Sequence, residues 1–96
     1  MKILICAVPP HKIHDTASKV ECDHLRIIGS KDPIKTWQRI PSADLCIVVS
    51  TQASTSNMTH VRRMFGKQFV AAPSLNEAIR IANDAAAAAE KKKRVA

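Results

Sequence analysis

Seven of the eight residues from Ser50 to Asn57 carry a hydroxyl or a side-chain amide. Such groups donate and accept hydrogen bonds but hold no proton that titrates near neutrality, so they suit recognition of a polar or anionic ligand. A second set follows the first apolar run: Lys12 offers a fixed positive charge, and His11 can gain or lose a proton near pH 7. A third set, Arg62, Arg63 and Lys67 with His60, is cationic and suits a phosphate backbone. His11 and His14 stand three apart, with Asp15 or Cys22 as further donors. A metal site wants three or four converging ligands, and no spacing here supplies them, so no metal is expected.

The carboxylates do not pair for acid–base work. Asp23 and Asp44 open apolar runs, Asp32 precedes Pro33 as a helix cap, and Asp15 lies within a helical stretch. No catalytic residue is assigned, and the balance leans against an enzyme. The chain has only Gly29 and Gly66, so it lacks the glycine loops with which nucleotide-hydrolysing and dinucleotide folds approach phosphate. No cofactor is expected.

Four apolar runs must position these groups: 2–8, 23–28, 45–49 and 68–72. Between and after them lie helix-length segments. Ile13, Ala17 and Val20 form a stripe; Asp32-Pro33 starts a helix that turns Ile34 and Trp37 to the sheet and ends before Pro41. Met58, Val61, Met64 and Phe65 share one face of a helix stopped by Gly66. Ser74 and Glu77 have capping-box spacing, ahead of a face made by Leu75, Ala78, Ile79, Ala82 and Ala86. Alternating strands and helices imply right-handed crossovers and a parallel sheet. The expected architecture is a three-layer α/β/α sandwich, four strands in the order 2-1-3-4, flavodoxin-like or Rossmann-like. Ligands bind such sheets at the carboxyl ends of the strands, where the order reverses. That crevice would set Pro9, Pro10, His11 and Lys12 against the loop of 50–57. The expected ligand-binding residues are His11, Lys12, Thr51, Gln52, Ser54, Thr55, Ser56 and Asn57, one of which must also cap the following helix.

Ninety-six residues make one small domain, placed at 1–89, with a basic tail over 90–96 that frays past about residue 90. The tail supplies three units of the +7 formal charge and residues 1–89 the other +4. No stretch reads as a membrane span or signal peptide. Three cysteines without a Cys-x-x-Cys pair suit a reduced, cytoplasmic protein.

Cys6 on the opening strand resembles the phosphorylated cysteine of small phosphotransferase-system IIB proteins, although Ala7-Val8-Pro9-Pro10 replaces their glycine- and serine-containing loop. A longer resemblance covers residues 43–80: Ala43-Asp44-Leu45-Cys46-Ile47-Val48-Val49, the Ser/Thr loop, Asn57-Met58, Val61-Arg62-Arg63 and Gly66-Lys67-Gln68-Phe69-Val70. This pattern is similar to small bacterial and phage-borne flavodoxin-like domains of unknown function. Those domains carry Gly-Gly after the first strand and a loop histidine, where this chain has Pro9-Pro10 and Ser56. The resemblance implies the fold and the place of the site.

The function expected from these readings is a non-enzymatic accessory or regulatory domain holding an anionic, nucleotide-like ligand at the carboxyl edge of the sheet. The alternatives are a nucleic-acid binder using Arg62, Arg63, Lys67 and the tail, and a structural module that self-associates. The partner classes are accordingly a phosphorylated small molecule, a nucleic acid or a second copy of the chain, and no membrane.

Overall fold

A computed structural model describes residues 1–31 and 43–94, the side chains as far as 89. The expected helix over 33–40, with Asp32, Ile34 and Trp37, lies outside the described residues. The four apolar runs form strands β1 (Lys2–Val8), β2 (His24–Gly29), β3 (Leu45–Val49) and β4 (Phe69–Ala72). All pair in parallel, in the order β2-β1-β3-β4. Ile3, Leu4, Ile5, Cys6, Ile47, Val48 and Val49 are at most 1% exposed, as expected for strands covered on both faces. Each large aliphatic side chain buried in this way contributes roughly 1.5–3 kcal/mol.

Among the described residues three α-helices pack on this sheet: α1 (Ile13–Lys19), α2 (Thr55–Phe65) and α3 (Leu75–Arg94). The β1-to-β2 and β3-to-β4 crossovers run in opposite directions across the sheet. With both right-handed, α1 and α2 must lie on opposite faces. The helix α3 shares the face of α1, because Asn83 accepts from the Glu21 N–H at 2.8 Å and donates to the Lys19 carbonyl at 3.0 Å. The result is the flavodoxin-like layer order.

Several details depart from the sequence expectation. On α1 the fully buried residue is Thr16, while Ala17 is exposed, so the inward stripe is Ile13, Thr16 and Val20. Thr16 and Ala17 lie equally far round the helix from the line of Ile13 and Val20, on opposite sides, and Thr16 is the one turned inward. On α2 Val61 and Phe65 are buried, but Met64 is 45% exposed: it stands beside Val61 at the edge of the inward face, about 100° round the helix from Phe65. His60 is half-buried rather than on the polar side, with its Nε2 enclosed and unbonded among the described residues. Strand β2 starts at His24 rather than Asp23, and Gln68 ends a 3-10 turn rather than opening β4.

The Ser74–Glu77 capping box is half formed. Ser74 Oγ accepts from the Glu77 N–H at 3.3 Å, but the Glu77 carboxylate turns to Arg80, 2.6 Å away. The backbone of α3 stays helical to Arg94, past the point where fraying is expected. Among the described residues, no helix is long and apolar enough to cross a membrane.

Candidate functional site

Strands β1 and β3 are neighbours, with Cys6 opposite Val48, so their carboxyl ends emerge side by side. The chain leaves β1 toward one face and β3 toward the other. Between these departures no connection of the described residues crosses the strand ends, and this leaves the crevice.

The β1 rim is built by proline. Pro9 and Pro10 cannot donate to the ladder, and the Lys12 N–H closes a tight turn onto the Pro9 carbonyl at 2.8 Å. That turn leaves His11 and Lys12 exposed at the rim. Just before it, Cys6 pairs with Ile28 and Val8 with Gly29, so Ala7 is an extra residue, a bulge in β1. Its φ of 66° is one that an L-residue adopts at a cost of about 1–2 kcal/mol, yet Ala7 is fully buried. Nothing in the apolar run 3–8 signals this bulge.

The β3 rim is organised by two serines, Ser50 and Ser54. The Ser50 N–H and Oγ both donate to the Ala72 carbonyl, at 2.9 and 3.1 Å, tying the loop to the end of β4. The Gln52 N–H bonds the Val49 carbonyl at 3.0 Å and turns the chain. Ser54 then caps α2: its Oγ accepts from the Asn57 N–H at 3.2 Å, and its carbonyl accepts from Met58 at 3.0 Å. The N–H groups of Thr55 and Ser56, in the first turn, have no intrahelical acceptor and carry the positive end of the helix dipole.

The polar loop therefore divides by task. Ser54 is spent on the cap and Ser50 on the sheet. Thr51, Gln52, Thr55, Ser56 and Asn57 make no side-chain hydrogen bond to a described residue, and all but half-buried Asn57 are exposed. These five, with His11 and Lys12 across the crevice, form the candidate site. One neighbour was missed by sequence reasoning. The Ser30 N–H bonds the Val8 carbonyl at 2.8 Å, which brings exposed Lys31 to the same rim as a second cation. Its signal was the strand order itself, since the residue following β2 must emerge beside the end of β1.

Other groups lie away from the crevice. Arg62, Arg63 and Lys67 are exposed at the far end of α2, with Arg62 set 5.9 Å above the Phe69 ring. Asp44 accepts from the Lys2 N–H at 2.7 Å and Asp23 pairs with the Met1 ammonium, both at the opposite edge of the sheet. A cavity at that opposite edge is lined by residues including Lys2, Leu4, His24 and Arg26. Cys6 is wholly buried within β1, where a hydrogen bond with Cys46 and burial both raise its pKa far above the ordinary thiol range. In this fold its sulfur is closed to a phosphoryl donor. His11 and His14 are both exposed, and no group of three or more metal-binding side chains converges among the described residues.

The chain matches no protein-family model, and no curated protein or solved structure shows significant similarity to it.

Proposed function

We propose that this domain binds a small anionic ligand, of the nucleotide or sugar-phosphate class, in the crevice between β1 and β3, as an accessory or regulatory module. The observation that carries this reading is the free polar rim. Five hydrogen-bonding side chains and two open N–H groups at the start of α2 lie across from a rim with Lys12, Lys31 and His11. An anion held there meets positive charge from the lysines, the dipole end and the backbone donors together. Without glycine in either loop, only the start of α2 brings backbone N–H groups to the anion, and side chains supply the other contacts.

Thermal unfolding against a panel of nucleotides and sugar phosphates tests this. A ligand confined to the native state stabilises it by about 2.7 kcal/mol at a hundred times its Kd. A raised Tm that Lys12→Ala and Ser56→Ala both diminish supports the crevice. A Tm unmoved by every member of the panel refutes it.

A further inference from the structure

The charges of this chain are segregated. From Leu45 through Asn76 the sequence contains no aspartate or glutamate, a span that covers β3, the polar loop, α2 and β4. The cations in that span, Arg62, Arg63 and Lys67, are all exposed, and none makes an ion pair with a described residue. Across the sheet the pattern is different. On α1 Lys19 pairs with Asp15 at 3.0 Å, and on α3 Arg80 pairs with Glu77 at 2.6 Å and Asp84 at 3.3 Å. Among the described residues, α1 and α3 carry ion pairs of their own, and α2 leaves its cations open.

The open charges are also aligned. Thr59, Arg62 and Arg63 fall at i, i+3 and i+4, one exposed stripe on the side of α2 away from Val61 and Phe65. Lys67 continues the line through the turn Gly66–Gln68. The Phe69 ring beneath Arg62 restrains its guanidinium over the surface. Hydroxyls and cations of this kind are the groups that contact phosphate.

We propose that the outer face of α2, through Arg62, Arg63 and Lys67, binds the phosphate backbone of duplex nucleic acid without reading its sequence. The site is separate from the crevice and stands whether or not the crevice holds a ligand. A protein partner would need an apolar centre in the patch, and a membrane surface would need an apolar face. Met64 alone among the described large hydrophobic residues is exposed. A single strand would call for exposed rings to stack on. On this face Phe65 is buried and Phe69 lies under Arg62.

Fluorescence anisotropy with a labelled duplex of about 20 base pairs, titrated with salt, tests this. Three phosphate contacts predict a slope of log K against log salt of about −2.7. The variant Arg62→Gln/Arg63→Gln/Lys67→Gln should remove most of that slope while its circular dichroism melt stays at the wild-type temperature. If it melts early, Arg63→Gln and Lys67→Gln taken singly should each reduce the slope by about 0.9. Binding that is absent at low salt or indifferent to salt overturns the proposal. So does a slope unchanged in the triple variant and lost only when Lys91, Lys92, Lys93 and Arg94 become glutamine. Preference for a labelled single strand overturns the duplex assignment. Displacement of the duplex by polyglutamate at equal charge concentration assigns the face to an acidic protein instead.

Discussion

The sulfurs of Cys6 and Cys46 lie 3.9 Å apart between adjacent strands, both residues fully buried. Cys46 is directly opposite Leu4, so the two cysteines are diagonal neighbours, offset by two residues. Diagonal positions sit about 7–8 Å apart at Cα, beyond the reach of an unstrained disulfide. The pair is a thiol–thiol contact within an aliphatic core.

That contact predicts an alkaline limit to stability. Folding raises the pKa of Cys6, through the Cys46 hydrogen bond and burial, so the thiol stays protonated in the fold and ionises when the chain unfolds. The contribution is complete below the ordinary thiol pKa and is lost as pH rises above it. Above about pH 9 the unfolding free energy should fall by up to about 1.4 kcal/mol per pH unit from this residue. Urea titrations from pH 7 to 10 should show the decline, and Cys6→Ala should flatten it while lowering stability at pH 7.

Ala7 predicts a backbone effect of opposite sign for two substitutions. Glycine adopts a φ of 66° freely, so Ala7→Gly should be neutral or stabilising by up to about 1 kcal/mol. Ala7→Val adds a branched side chain at a strained, fully buried position and should cost about 2–3 kcal/mol or more. Denaturant midpoints at constant m-value measure both. A destabilised glycine variant would contradict the strained bulge.

The first turn of α2 predicts a separation of stability from binding. Ser54→Ala removes the cap on Asn57 and should cost about 1 kcal/mol. Ser56→Ala breaks no hydrogen bond to a described residue and should leave the midpoint within about 0.5 kcal/mol. Equal losses from both would show that Ser56 has a structural task of its own.

At acid pH the ion pairs of the α1–α3 face should matter slightly. Lys19 lowers the pKa of Asp15, and Arg80 lowers that of Glu77, so their contribution is present above the ordinary carboxylate range and is lost as pH falls through the depressed values. Both carboxylates are solvent-exposed, which makes the effect small and screened by salt. Stability measured between pH 5 and 2 should lose this component in Glu77→Gln, and added salt should shrink the difference.

The strand order and the place of the crevice were legible because periodicity and crossover handedness are strong constraints. Four apolar runs separated by helix-length segments leave few arrangements of a parallel sheet. Finer features depended on what periodicity does not carry. On α1 Thr16 and Ala17 lie equally far from the line of Ile13 and Val20, on opposite sides, so the apolar stripe did not decide which of them faces the sheet. The local competition for Glu77 was won by Arg80, three residues on, rather than by the cap. The bulge at Ala7 left no mark in a run where every residue is apolar. Within the polar loop, composition marked the candidate residues, but only the bonds of Ser50 and Ser54 separate structural hydroxyls from free ones.

The most direct measurement of the crevice is an amide 1H–15N chemical-shift titration with a nucleoside monophosphate at physiological salt. The account predicts concerted, saturable shifts on both rims, at His11 and Lys12 and at Thr51, Gln52, Thr55 and Ser56. Shifts confined to Arg62, Arg63 and Lys67, or to one rim alone, or no shift at all, would contradict it.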